Sequence, residues 1–277
     1  MKTATRTVTI KDVAREAGVA LGTVSRILNG HENVDPALRK KVRKVISALG
    51  YERNATARLM RIGKTLAVGC IISDIRQPIA AEMVTGAESV LRDAGYAMIV
   101  ASTHYDDAQE AEILAFMRER RVDGLLTIAN RDSDPKTLRR LQAMALPIVL
   151  WERDVSGKFD AVVGEHRAGV AAAVEHLIGL GHRDILLIAG HPGTWVGREQ
   201  AGGFEDAYRR AGAPSPRRRI FHIGEMGEAG LRKMLAAPSR PTAVIANIND
   251  IPAVLSICAE FATLPPRDMS IVSIGDS

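Results

Sequence analysis

Over the first fifty residues, apolar side chains recur every three or four positions, and that spacing predicts three short helices. In TIKDVAREAGVALGTVSRILN (9–29), Val13, Ala14 and Ala17 supply the buried face of the first helix. Val24, Ile27 and Leu28 do so for a second helix over 23–29. Gly18 stands where the chain must turn sharply, because glycine takes positive φ without steric cost, and Val19 plugs the corner. Leu21, Gly22, Thr23, Ser25, Arg26 and Asn29 are left on the outer side. Asp35 as N-cap and Pro36 at the first helical position open the third helix, and Gly50 ends it. Leu38, Val42, Val45, Ile46 and Leu49 form its apolar stripe, opposite Arg39, Lys40, Lys41, Arg43 and Lys44.

From Leu66 the pattern changes to short, almost wholly apolar runs alternating with helical ones. Strands are expected at LAVGCIIS, YAMIVAS, DGLLTIA and PIVLW, with helices over 79–95, 107–121 and 135–144 between them. AVVG at 161–164 reads as a short strand leading into a second unit of the same kind. Helix 165–180, DILLIAG, helix 195–211, IFHI, helix 227–236, TAVIAN, helix 249–262 and SIVSIG follow. Such alternation argues for parallel sheets covered by helices. Two α/β lobes in tandem place a small ligand in the cleft between them, at the carboxyl ends of the strands.

Charge sharpens this division. Residues 1–64 carry a net +9 and residues 65–277 a net −4. A basic head on a mildly acidic body is the footprint of a nucleic-acid-binding module. An Arg on the outer side of the second helix can give two donors to the O6 and N7 of guanine. Ser, Thr and Asn can contact phosphates and fix the register. Cys70 lies in an apolar strand and Cys258 in a helical pattern, so both are expected to be buried thiols in a reducing cytoplasm. No apolar run opens the chain as a signal peptide would, and none is long enough to span a membrane. Gly-rich phosphate loops, metal-spaced His/Cys clusters and nucleophile elbows are lacking, and neither His182 nor His191 has an evident catalytic partner. No catalytic residue, metal site or cofactor is therefore expected. The segment NATARLMR (54–61) is too short to be a stable helix alone. It is either a hinge helix that enters the minor groove or a plain linker.

IKDVAREAGVALGTVSRILNG, the third helix ending LGY, ARLMR, HLIGLGHRDILLIAG, REQAGGFEDAYRRAG, NIND and PRDMSIVSIGD together resemble the bacterial LacI/GalR-type transcriptional repressors. The resemblance covers essentially the whole chain. It implies a helix-turn-helix DNA-binding headpiece over 1–53, a hinge over 54–64 and a two-lobed, periplasmic-binding-protein-like α/β body over 65–277. The lobes would be 65–160 and 161–277. It further implies a cytoplasmic homodimer on a pseudo-palindromic operator, with a small effector, a sugar or sugar derivative, tuning affinity. The alternative is a DNA-binding regulator without effector response. A periplasmic sugar-binding protein and an enzyme on the same α/β body are disfavoured by the basic head and by the missing signal peptide and catalytic motifs.

By the same resemblance, Leu21, Gly22 and Arg26 fall at base-reading positions, with Thr9, Thr23, Ser25 and Asn29 beside them. Leu21 can touch a thymine methyl, and Gly22 reads no base by side chain, so direct readout leans on Arg26. Ala57 and Met60 fall where the hinge enters the minor groove, Met60 replacing the usual leucine wedge, and Arg53 lies where a proline is often found. Arg198 matches an effector-clasping arginine and Asp250 an acceptor of sugar hydroxyls. Trp195 could stack on a sugar face, and Asp74, Gln77 and Trp151 sit at or just beyond strand ends. VVGEH puts Gly164 and Glu165 where an aspartate is common. The chain stops at Ser277, where family members continue across the lobes. The expectation is a body incomplete at its C-terminus, with uncovered sheet edges and lobes less rigidly hinged.

Overall fold

The computed structural model describes residues 8–28, 30–31, 33–51, 63–155, 157–212 and 219–275, with backbone alone at 223–226. Asn29, Arg53, Ala57 and Met60, and with them the hinge segment 54–61, lie outside the described residues. The chain forms two compact units, Met1–Lys64 and Thr65–Ser277.

In the first unit, α1 (Ile10–Ala17), α2 (Leu21–Leu28) and α3 (Pro36–Leu49) pack around Val13, Ala14, Ala17, Val24, Ile27 and Val42. Val19, Leu28, Val45, Ile46 and Leu49 close the cluster, as their spacing predicts. The ends of the helices are set locally. Gly18 and Gly50 take left-handed φ of 63° and 59°. Asp35 accepts the Leu38 N–H at 2.8 Å. The second helix begins at Leu21 rather than Thr23, because the Ala20 carbonyl already accepts from Thr23 N at 2.9 Å.

The second unit opens on Asp123, whose carboxylate accepts the N–H groups of Thr65 at 2.9 Å and Leu66 at 2.8 Å. This fixes where the chain enters β1 (Ala67–Ile72). There follow α4 (Pro78–Asp93), β2 (Ala97–Ser102), α5 (Asp107–Glu119), β3 (Gly124–Thr127), α6 (Pro135–Gln142), β4 (Ile148–Trp151) and β5 (Asp160–Val162). They build a five-stranded parallel sheet in the order β2-β1-β3-β4-β5. Here the structure corrects the lobe boundary. The strand at 160–162 pairs Asp160–Val162 with Val149–Trp151, so it closes the first sheet rather than opening the second.

The second sheet has the order β7-β6-β8-β9, also parallel. Its elements are α7 (His166–Gly179), β6 (Ile185–Ala189), α8 (Trp195–Arg210), β7 (Ile220–His222), α9 (Ile223–Ala236), β8 (Ala243–Asn247), α10 (Ile251–Glu260) and β9 (Ser270–Ile274). Helix α9 starts four residues before the expected 227 and is kinked at Gly227, where φ is 65°. In β6 every side chain is buried. Ile185 and Leu187 join Phe204 and Tyr208 on one face, and Leu186 and Ile188 join Phe221 and Val254 on the other. Helix-covered faces on both sides explain why these runs read as continuously apolar. Cys70 and Cys258 are both buried free thiols, as expected. Among the described residues, no helix is long and apolar enough to cross a membrane.

Candidate functional site

The outer face of α2 carries Leu21, 45% exposed, with Gly22 and Arg26 also exposed. Thr23 and Ser25 are half-buried beside them. Among the described residues the Arg26 guanidinium has no ion pair or hydrogen bond, so its paired donors remain available for a base edge. Thr9 is the N-cap of α1. Its hydroxyl donates to Asp12 Oδ2 at 2.7 Å and its N–H donates to the same oxygen at 3.0 Å. The hydroxyl in turn accepts from Asp12 N at 3.4 Å, which completes a capping box. With its donors on Asp12, Thr9 orients α1.

In the body, the carboxyl ends of both sheets supply polar side chains. Asp132, in the loop after β3, has a fully buried side chain. It accepts from the backbone N–H of Trp195 at 2.6 Å and from Arg198 Nη1 at 3.0 Å, both on the first turn of α8. Next to it, Ser133 Oγ donates to the Gly193 carbonyl at 2.8 Å. The first lobe thus meets the N-terminus of a second-lobe helix through a carboxylate, where helix dipole and cation both favour negative charge. Arg153 stands behind Asp132, with Nε 4.0 Å from its Oδ2. It donates to the carbonyls of Ala129 and Glu152 at 2.7 Å each. Burial lowers the Arg153 pKa, opposed by the charges of Asp132 and Glu152.

A second group of polar side chains surrounds the Tyr105 phenol. Gln77 donates to it, and the charges of Arg153, Asp74 and Asp250 all act on it. Asp250 comes from the second lobe. Burial raises its pKa, partly offset by a hydrogen bond with Asn247. Asp74 is held by Arg76 at 2.6–3.0 Å, which keeps its pKa at about 2. Glu152 pairs with His166 and accepts Gly164 N at 3.1 Å, tying the crossing segment to the end of β4. The Trp195 ring meets His166 edge-on, 5.7 Å between centroids. Gln200 is fully buried, accepting Gly190 N and donating to Asn247 Oδ1, each at 2.8 Å.

Of the expected effector residues, Arg198 and Trp195 come together around Asp132, while Asp74, Gln77 and Asp250 each act on Tyr105. Trp151 does not join them. It is 7% exposed and packs with Cys70, Ile72, Ala80 and Ile128, so it is a core residue of the first lobe. Sequence reasoning missed Asp132, Arg153, Tyr105 and Gln200. The polar tripeptide Arg131–Asp132–Ser133 and the charged pair Glu152–Arg153, each just past an apolar strand, were the available signals.

A helix-turn-helix headpiece joined to two parallel α/β lobes, with polar groups converging at the strand ends, defines a ligand-binding-regulator architecture. Comparison with known proteins agrees. Residues 9–54 match the model of bacterial regulatory proteins of the lacI family. Residues 65–261 match that of the periplasmic binding proteins and sugar binding domain of the LacI family. The chain therefore belongs to the LacI family. It is 31% identical to the HTH-type transcriptional repressor PurR of Photobacterium profundum over 272 residues, covering 95% of this chain and 80% of that one. It is 29% identical to the catabolite control protein A of Priestia megaterium over 276 residues, covering 98% and 83%. The fold is that of the Lac repressor dimer bound to operator and the anti-inducer ONPF, with a TM-score of 0.82 at 22% identity, covering 98% of this chain and 83% of that one. These relatives are transcriptional regulators, not enzymes.

Proposed function

We propose that this chain is a sequence-specific DNA-binding repressor whose operator affinity is tuned by a small effector, a sugar or sugar derivative. It acts as a homodimer on a pseudo-palindromic operator. Arg26 reads a base edge from α2, with Leu21, Gly22, Thr23, Ser25 and Asn29 lining the groove, and Ala57 and Met60 serve the hinge. Arg198, Asp250, Trp195, Asp74 and Gln77 contact the effector between the lobes. The observation that carries this reading is the exposed Arg26, unpaired among the described residues, on a helix whose opposite side is anchored by Val24 and Ile27. The sugar-binding family model over 65–261 supports the effector half.

Mechanistically, an effector with different affinities for two lobe orientations shifts their populations, and the headpieces respond. A regulator without effector response is favoured by one observation: Arg198 already gives Nη1 to Asp132. Calorimetry of the full chain against a panel of sugars and nucleosides tests the effector reading. Heat of binding supports it, and a silent panel with intact operator binding favours the effector-independent regulator.

A further inference from the structure

We propose that Asp132 is a two-position switch that sets the resting orientation of the lobes. In one position it holds the first turn of α8; in the other it pairs with Arg153 inside its own lobe. The inference rests on the effector reading for what the switch regulates, but not for the switch itself.

The first position is the one observed. Asp132 takes the Trp195 N–H at 2.6 Å and Arg198 Nη1 at 3.0 Å, while Ser133 Oγ adds a bond to Gly193 O at 2.8 Å. All three partners belong to the second lobe, within one short stretch. A buried carboxylate cannot simply let go of such partners, because stranding it in a low-dielectric interior is costly. Here a second partner, already in loose ion-pair contact, lies behind it. Arg153 is 8% exposed at its side chain, and its Nε lies 4.0 Å from Asp132 Oδ2, just outside hydrogen-bonding range. Its Nε and Nη1 serve backbone carbonyls, and among the described residues Nη2 has no partner. A small movement of Asp132 toward Arg153 therefore replaces the lost bonds with a charge-assisted one. Two discrete arrangements of one carboxylate, each satisfied, make a bistable element of the kind that small ligands can bias.

This geometry also makes Asp132 an internal competitor. An effector that takes Arg198 Nη1 displaces Asp132, and the displaced carboxylate moves to Arg153. Binding and release of the lobes are then one event. Asp132 and Arg153 act through Arg198 and α8, so they are positioning residues.

The test is the inter-lobe distance in the full chain, read by dipolar spectroscopy between spin labels on cysteines introduced at the exposed positions Glu119 and Glu205. Cys70 and Cys258 are buried, so labelling is confined to the introduced sites. The wild-type background should give a narrow distribution. Asp132→Asn weakens the hold on Arg198, so the distribution should broaden and shift. Arg153→Met removes the second position, so the distribution should stay narrow. A merely structural role would make both substitutions loosen the lobes alike, and that result would overturn the proposal, as would no change with Asp132→Asn. Should Arg153→Met fail to fold, Ser133→Ala serves: it should broaden the distribution less than Asp132→Asn, and an equal or larger effect counts against Asp132 as the switch. Operator selection with the same proteins separates the two ideas. Distances that respond without any selected operator refute the repressor reading alone, whereas a selected operator with unresponsive distances refutes the switch alone.

Discussion

Thr9 and Asp12 cap the first helix in both directions: the Thr9 hydroxyl accepts from Asp12 N at 3.4 Å, and the Asp12 carboxylate accepts from Thr9 N at 3.0 Å. The pair sits one turn ahead of Val13 and Ala14, which enter the headpiece core. Removing the cap should therefore loosen α1 without touching α2. Thr9→Ala is expected to cost about 1 kcal/mol of headpiece stability, and Thr9→Ser little. Hydrogen exchange of the α1 amides in the full chain reads this directly. Unchanged protection in Thr9→Ala would contradict it.

Helices α7 and α8 meet so closely that one glycine is obligatory. A Cβ at Gly203 would lie 2.2 Å from the Arg167 carbonyl oxygen, a backbone atom that cannot swing aside. Gly203→Ala should lower the stability of the body by roughly 3 kcal/mol or more, as overpacking does when backbone must move. Gly169, also in α7, has open space around it. Gly169→Ala should raise stability by about 0.5–1 kcal/mol, since glycine is the poorer helix former. Thermal unfolding of the two variants should shift in opposite directions.

Asp74 should titrate at about 2, held down first by the Arg76 side chain and then by the Arg76 backbone N–H. A carboxyl with a depressed folded pKa stabilises the fold above its ordinary value and loses that contribution as pH falls toward about 2. Arg76→Met should move the midpoint up toward the ordinary carboxylate range, seen by NMR titration of the Asp74 side chain. A midpoint insensitive to this substitution would refute the pairing.

Asp250 should behave in the opposite sense. Burial raises its pKa above the unfolded value, so the ionised form is penalised in the folded state. Stability lost to Asp250 should grow as pH rises from the ordinary carboxylate range through the raised pKa, and vanish at lower pH. Asp250→Asn should therefore stabilise the body at neutral pH and make no difference in acid. Under the proposed effector reading, the same substitution should weaken sugar binding, because an amide is the poorer acceptor for hydroxyls. Urea unfolding at the two pH values checks the first claim and calorimetry the second.

How much of this was legible in the chain depends on how local the cause is. Gly18, Asp35, Pro36 and Gly50 act within a few residues of themselves, so the headpiece could be read closely. The strands of the two sheets were legible because burial on both faces leaves them uniformly apolar. The strand at 160–162 was assigned to the wrong lobe because all three residues are exposed, and only its pairing with Val149–Trp151 places it. The core placement of Trp151 was hidden for a related reason. A tryptophan at a strand end can face a cleft or the core, and only packing against Cys70 and Ile128 decides. Asp132 and Arg153 escaped notice because nothing in the sequence brings them within 4.0 Å or buries them. Charged residues in a loop read as solvent-exposed until the tertiary fold covers them.

On the proposed reading, α2 reads DNA sequence through Arg26. The most direct measurement is selection from random duplex DNA by the full chain and by Arg26→Ala, at near-physiological salt. Wild type should enrich a pseudo-palindrome. Arg26→Ala should lose discrimination at one base pair in each half-site, costing about 1–3 kcal/mol there, while keeping its salt-dependent general binding. Enrichment of no motif by the wild type, or the same motif at undiminished stringency from Arg26→Ala, would contradict it.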